Sequence, residues 1–421
     1  MTVTVARGRK PAQSADVKPA RSPVPPPAVS PAATTRLTSL DVFRGATMLF
    51  MASEIMRISS LARAFPDSGT AQFLGSMLDH RAWVGCSPWD LIQPAFMFMV
   101  GVSLPFSIAS RRAKGQTFGR MFAHSVFRAF VLIALGIFLR SQGRAQTYFT
   151  FEDVLTQIGL GYVFLFLLGW ARPRIQWAVA IAILVGYWAA FALYPVPPAD
   201  FDTTTVGVPA DWQHKQTGFA RHWDKNTNLA NAVDQWFLNL FPRERPFAFN
   251  RGGYLTLNFV PSLATMIFGL LAGGLLRSNR PGMSKVKTLL LFGVGGIVVG
   301  LIVHMLGLCP IVKRIWTPSW TLFSAGWVVL MLAAVYYVVD IRGYRRWAFP
   351  LLVVGVNSMA MYFLVHVCAD YISKAFVTHL GRGTFERFGP AFTPILLGGA
   401  TLGVLWLMLY WMYRHRVYIR I

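Results

Sequence analysis

The chain has 421 residues, of which 54% are hydrophobic and only 14% are charged, and its mean hydropathy is +0.47. Soluble domains of this length rarely combine these values, so the composition argues against a soluble enzyme and favours a membrane protein with many spans. The formal net charge of +23 would suit a nucleic-acid binder only if the cations formed one patch. They are instead spread over short segments between apolar runs, so nucleic acid is not an expected partner.

Residues 1–36 differ in composition from the rest of the chain. They are rich in Pro, Ala and basic residues and lack the apolar core of a secretory signal. This composition predicts a disordered cytoplasmic tail, followed by a membrane domain over 37–421.

The membrane domain is divided into apolar runs. A hydrocarbon core of roughly 30 Å requires about 20 apolar residues per helix, and about ten runs meet this requirement. They are 38–57, 90–110, 121–140, 154–171, 175–194, 258–276, 286–308, 319–339, 348–369 and 392–413. The pattern predicts an all-α integral membrane protein, a bundle of about ten transmembrane helices.

The short connections between alternate runs carry the positive charge. The segments "RRAKGQTFGR" (111–120), "RPR" (172–174), "RSNRPGMSKVK" (277–287) and "IRGYRR" (341–346) are basic and almost free of Asp and Glu. Loops that stay in the cytoplasm have this composition. Both termini are therefore expected in the cytoplasm, and the protein is expected to cross the inner (cytoplasmic) membrane several times.

The one longer connection is 195–257, which this topology places outside as an extracytoplasmic cap. Its stretch "NTNLANAVDQWFLNLF" predicts an amphipathic helix on the bilayer surface or against the outer helix ends. The apolar face of that helix contains Leu229, Val233, Trp236, Phe237 and Leu240.

Ionisable side chains in or next to apolar helices are costly and often mark function. Asp41 and Arg44 are three residues apart at the start of the first span, so they share a helix face. A structural ion pair and a substrate-binding pair are both compatible with this spacing.

His80 lies in the stretch "LDHRAWVGCSPWDLIQPAFMFMVGVSL" (78–104), at the outer entrance of the second span. An imidazole is well suited to remove a proton from an amine or hydroxyl group that attacks a carbonyl carbon. Three carboxylates are candidates to orient this base or stabilise its charge, and the sequence leaves the choice open. They are Glu54, Asp79 and Asp90, with Trp83 available to exclude water.

Further polar groups lie inside later spans. The predicted span 348–369 contains "GVNSMAMYFLVH" with Asn357, Tyr362 and His366. The predicted span 258–276 is entered through "GGYLTLNFVPS", which includes Asn258. These groups could bind a substrate carbonyl and its developing oxyanion, or they could hydrogen-bond between helices. The cysteines show no metal-ligand spacing, so no metal is expected.

The motifs resemble those of a known family. The pair "SLDVFRG" (39–45) and "HRAWVGCSPWDLIQPAFMFMVGVSL" (80–104) resembles the signature of the heparan-alpha-glucosaminide N-acetyltransferase-like membrane proteins. The resemblance continues into "VLTQIGLGY" (154–162), "TNLANAVDQ" (227–235) and the segments 252–273 and 355–366. The chain is thereby identified as resembling a bacterial member of this family.

The resemblance implies an acyltransferase. It implies that His80 is catalytic on the external side, that the acetyl group comes from cytosolic acetyl-CoA, and that an amino sugar or glycan accepts it. Two positions depart from the family pattern: Gln157 stands where Arg is common, and Glu54 stands where Asn is common. Gln157 is a candidate contact to the donor because it occupies the position of that Arg. Glu54 implies that the side chains around the acetyl group differ from those of other family members.

The working hypothesis is a membrane acetyltransferase with His80 as general base, using acetyl-CoA and an extracytoplasmic sugar. The sequence leaves three choices open. The acetyl group could go to nitrogen or oxygen, transfer could be direct or pass through an acetyl-enzyme intermediate, and the protein could be a monomer or a homodimer. A multi-pass transporter or flippase for an envelope sugar or lipid-linked glycan is the alternative, in which the same polar groups line a path.

Overall fold

A computed structural model of the protein describes residues 37–419. Within this range the chain is helical, and the one extended pairing is an isolated antiparallel bridge between Val84 and Val312. The predicted cytoplasmic tail, 1–36, lies outside the described residues.

The apolar helices are numbered here in chain order. They are α1 (Thr38–Ala52), α2 (Ile92–Ala113), α3 (Phe118–Arg140), α4 (Val154–Leu168), α5 (Pro173–Leu193), α6 (Phe259–Arg277), α7 (Gly282–Met305), α8 (Pro318–Tyr336), α9 (Phe349–Val356), α10 (Ser358–Leu380) and α11 (Thr393–Arg414). Among the described residues, eight helical segments, those containing α2, α3, α5 to α8, α10 and α11, are long and apolar enough to cross a membrane. The chain is therefore a multi-pass membrane protein.

The helices depart from the predicted spans at three places. Both α1 and α4 have only 15 residues, and the predicted span 348–369 is divided between α9 and α10. The division occurs at Asn357, whose side chain donates to the carbonyl of Val417 at 3.0 Å and accepts from the N–H of Ile419 at 3.3 Å. The prediction of one continuous helix was wrong there, because the polar side chain binds the segment after α11. The total of ten spans and their orientation stay predictions.

Glycines let neighbouring helices approach closely. A methyl group added at Gly101 of α2 would meet the backbone of Met266, and one added at Gly269 of α6 would meet the backbone of Phe98. Such close backbone contact provides dispersion attraction between helices that share an apolar solvent. Gly293, Gly296 and Gly300 of the run "GVGGIVVG" (293–300) allow the same close approach to α8.

Replacing Gly273 with Ala should destabilise the α2–α6 contact. A Cβ at this position would lie against the backbone of Val102, which cannot move aside, so we expect a loss of about 1–3 kcal/mol. Gly274, the next residue, has open space around its Cβ position. Gly274→Ala should therefore be neutral or stabilising by up to about 1 kcal/mol through helix propensity. Thermal unfolding in detergent compares the two variants, and equal melting temperatures would contradict this account.

The 195–257 segment contains the predicted helix, at Leu229–Phe237. Its polar edge faces the protein: Asn231 and Asp234 are buried, and Asp234 accepts a hydrogen bond from the N–H of Thr256 at 2.9 Å. Trp236 is 67% exposed. On the apolar face, Leu229 packs against a buried cluster, and the ring centroid of Phe237 lies 5.3 Å from that of Phe151. The face is therefore partly packed on the protein, and its contact with the bilayer surface stays a prediction.

Candidate active site

A cavity of about 1040 Å³ opens beside His80. Its volume is at the upper end of the range for small-molecule sites, about 300–1,000 Å³. The lining comes from residues within 51–59, 78–96, 140–154 and 362–398, together with Tyr254 and Lys313. All these segments lie at or beside connections that the predicted topology places on the outer face. Distant parts of the chain therefore converge on one site.

Asp90 holds the imidazole of His80. A 3-10 turn over Pro88–Leu91 precedes α2, and Ser87 caps it in a capping box with Asp90. Oδ1 of Asp90 lies 2.8 Å from Nδ1 of His80. Oδ2 accepts hydrogen bonds from the N–H groups of Ser87 at 3.1 Å and Arg81 at 3.2 Å, and from the Ser87 hydroxyl at 3.1 Å. The buried carboxylate is therefore fixed by its own local turn.

The contact with Asp90 determines the tautomer of His80. An ionised carboxylate can only accept hydrogen bonds, so Nδ1 of His80 carries the proton in this contact. The opposite ring nitrogen, Nε2, then has a free lone pair. The His80 side chain is 37% exposed while Asp90 is 1% exposed. This is the arrangement of a general base with an orienting carboxylate.

Lys313 completes the group from a distant part of the chain. Its Nζ donates to Oδ1 of Asp90 at 3.2 Å. Nζ also lies 3.0 Å from Nδ1 of His80, and since both nitrogens are donors here, they share Oδ1 of Asp90 rather than bond to each other. Burial lowers the pKa of Lys313, and the Asp90 carboxylate acts in the opposite direction. Sequence reasoning missed this residue. The sequence did carry one indication of its role. Lys313 and Arg314 form a basic pair in a connection that is predicted to lie outside, and the positive-inside rule does not explain cations there.

The loop that carries Lys313 is held rigidly. The N–H of Gly85 donates to the carbonyl of Ile311 at 2.9 Å, and the Thr317 hydroxyl donates to the carbonyl of Pro310 at 2.7 Å. Asn258, predicted as a substrate contact, donates through Nδ2 to the carbonyl of Arg314 at 2.7 Å. Asn258 is buried and outside the cavity lining, so the structure gives it a positioning contact on this loop.

Neither of the other two candidate carboxylates pairs with the imidazole. Oδ1 of Asp79 accepts the backbone N–H of His80 at 2.8 Å. Glu54 lines the cavity and is exposed, and within the described residues it makes no hydrogen bond to His80. Of the three carboxylates left open by the sequence, the structure places Asp90 on the ring.

Two predicted binding residues from α10 line the same cavity. Tyr362 and His366 are one helical turn apart and their rings stack with centroids 4.4 Å apart. Nδ1 of His366 lies 2.8 Å from the carbonyl oxygen of Tyr362, which can only accept. Gln157 is buried behind this lining, where its Oε1 accepts from Nε2 of Gln93 at 3.2 Å.

The structure keeps the remaining candidates away from the cavity lining. Asp41 and Arg44 form the ion pair predicted from their spacing, at 3.5 Å. Trp83 is buried beneath the cap and donates to the carbonyl of Trp223 at 3.1 Å. Asn357 binds the segment after α11, as described above. The structure shows structural contacts for these residues, and their roles in binding stay predictions.

Two cavity residues were not singled out from the sequence. Burial raises the pKa of Tyr254 to about 12, so its phenol keeps its proton, and the ring lies 5.9 Å from Nζ of Lys313. Burial likewise raises the pKa of Glu152 to about 7. Tyr254 lies within the quoted "GGYLTLN", but the sequence carries no sign that Glu152 enters a cavity.

Comparison with known proteins points to one family. No model of a known protein family matches the chain. The human protein heparan-alpha-glucosaminide N-acetyltransferase is 23% identical over 385 residues, covering 80% of this chain and 53% of the human protein. The mouse protein of the same name is 23% identical over 375 residues, covering 80% of this chain and 54% of that protein. The chain is a distant relative of these acetyltransferases. It spans about half their length, and the resemblance noted in its motifs is confirmed at this level.

Proposed function

We propose that the protein is a membrane acetyltransferase that moves an acetyl group from cytoplasmic acetyl-CoA to a sugar or glycan on the outer face of the inner membrane. The observation that carries this proposal is the buried Asp90 carboxylate that fixes His80 with Nε2 free beside a large cavity. The distant relationship to named N-acetyltransferases supports the reaction class.

In the proposed mechanism, Nε2 of His80 removes a proton from the acceptor nitrogen or oxygen as it attacks the thioester carbonyl carbon. Asp90 holds the required tautomer and stabilises the imidazolium that forms. The C–S bond breaks, and the proton passes from His80 to the CoA thiolate. The carboxylate thus acts through the histidine and does not itself contact the substrate.

Two further groups on the cavity wall suit the oxyanion of the tetrahedral intermediate. The ammonium group of Lys313 has three N–H donors, of which one is directed to Asp90. The phenol of Tyr254 keeps its proton at neutral pH. Preorganised donors of this kind are often the largest single contribution to acyl transfer. Tyr362 and His366 are proposed to line the approach of the acetyl group from α10.

The test uses purified protein, acetyl-labelled acetyl-CoA and a panel of amino sugars and N-acetylated sugars. Label in the sugar together with released CoA supports the proposal. Acetyl-CoA that is neither bound nor consumed contradicts it. Vesicles that accumulate a sugar without acetyl-CoA would support the transporter or flippase instead.

A further inference from the structure

Glu152 lies in the wall of the cavity that contains His80, and the mechanism above leaves it without a role. Asn250 donates a hydrogen bond through Nδ2 to Oε2 of Glu152. The other end of that amide, Oδ1, accepts from the N–H groups of Gly252 at 2.7 Å and Tyr254 at 3.4 Å. Among the contacts of residues 37–419, Oε1 of Glu152 accepts no hydrogen bond. One oxygen is therefore held by the protein, and the other is available to a ligand.

We propose that Glu152 is a second base, which binds the acceptor as an ammonium ion and takes its first proton before His80 takes the second. This inference rests on the proposed acetyltransferase function and deepens it. The role applies to an acceptor that carries a primary amine, the acceptor class that the names of the two relatives already indicate.

The chemistry of an amine acceptor requires two proton transfers. Sugar amines titrate near the α-amino group, at about pH 8, so at neutral pH most of the acceptor is an ammonium ion without a lone pair. One N–H proton moves to Oε1 of Glu152, and the nitrogen lone pair attacks the carbonyl carbon. The C–N bond forms and the C–S bond breaks. The second N–H proton moves to Nε2 of His80 and then to the thiolate, while Glu152 returns its proton to solvent.

The charges around Glu152 suit this role. Burial is the largest influence and raises its pKa to about 7, with Asp234 and Asp153 acting in the same direction and Arg140 and Arg243 opposing them. A carboxyl group accepts a proton only in its ionised form, which predominates above its pKa. Glu152 can therefore serve as a base from about pH 7 upward, within the range where the amine is still protonated.

Glu152→Gln removes the base and keeps the shape. We expect kcat/KM for glucosamine to fall about tenfold at about pH 7 and to equal that of the wild type at about pH 9, where the free amine predominates. The midpoint of the acid limb in the pH profile of kcat/KM should move from about pH 7 in the wild type to about pH 8 in the variant. Transfer to N-acetylglucosamine, which offers only hydroxyl groups, should be unchanged at every pH. Glu244→Gln, at an exposed position outside the cavity lining, serves as the matched control and should retain the wild-type profile.

Three results would overturn the role of Glu152 while leaving acetyl transfer intact. In Glu152→Gln, kcat/KM could fall equally at every pH, or fall equally with N-acetylglucosamine. Alternatively, the wild-type enzyme could transfer acetyl to N-acetylglucosamine but not to glucosamine. No transfer to either sugar by the wild type and the Glu244→Gln variant would contradict the proposed function itself. The two failures are therefore distinguishable.

Discussion

His80→Ala should lower kcat for acetyl transfer by about 10³-fold, equivalent to about 4 kcal/mol of transition-state stabilisation. The variant loses the imidazole that Asp90 orients, with its Nε2 beside the cavity. The imidazole is partly exposed, so its removal should have little effect on stability. Single-turnover CoA release, with melting temperature recorded in parallel, measures both quantities.

The matched control for His80→Ala is His379→Ala, at an exposed position of α10 outside the cavity lining. This variant should retain the wild-type rate. If His80→Ala keeps more than about a tenth of the wild-type kcat while remaining folded, the general-base role is contradicted, because that role contributes at least about 10².

Asp90→Asn should have two separate consequences. An amide can present an N–H to Nδ1 and so favour the wrong imidazole tautomer, which we expect to lower kcat by about 10²–10³-fold, no more than removal of His80 itself. It also leaves the buried ammonium of Lys313 without its counter-ion, which should cost about 3–5 kcal/mol of stability. Activity and thermal unfolding of the same preparation test the two effects.

A double variant separates the consequences of Asp90→Asn. Adding Lys313→Met removes the uncompensated charge, so Asp90→Asn/Lys313→Met should recover much of the stability but none of the activity. Asp79→Asn is the control carboxylate and should change kcat by less than about tenfold, since the one hydrogen bond of its side chain within residues 37–419 is to the neighbouring backbone N–H. A double variant as unstable as Asp90→Asn alone would contradict the proposed pairing of Lys313 with Asp90.

Much of the helical fold follows from local composition. Apolar runs separated by basic or turn-forming segments indicate the long helices, because length and hydropathy are properties of each segment alone. The break at Asn357 could not be predicted in this way. Its cause is a pair of hydrogen bonds to the segment around Val417 and Ile419, about 60 residues away in the chain.

The site was predictable in part. His80 follows from its chemistry and its position at the mouth of a span, but three carboxylates were within plausible reach of it. The choice of Asp90 depends on the capping turn that begins at Ser87, and on Lys313, which is 233 residues from His80 in sequence. Asn258 shows a similar dependence on distant sequence, because its side chain donates to the carbonyl of Arg314, 56 residues away in the chain.

The most direct test of the central claim uses oriented vesicles with labelled acetyl-CoA enclosed on the cytoplasmic face of the protein and glucosamine outside only. We expect labelled N-acetylglucosamine outside, with CoA released inside, for the wild type and not for His80→Ala. If labelled sugar forms only when donor and acceptor are on the same side, transfer across the membrane is contradicted. If His80→Ala forms it as well as the wild type does, the role of His80 is contradicted.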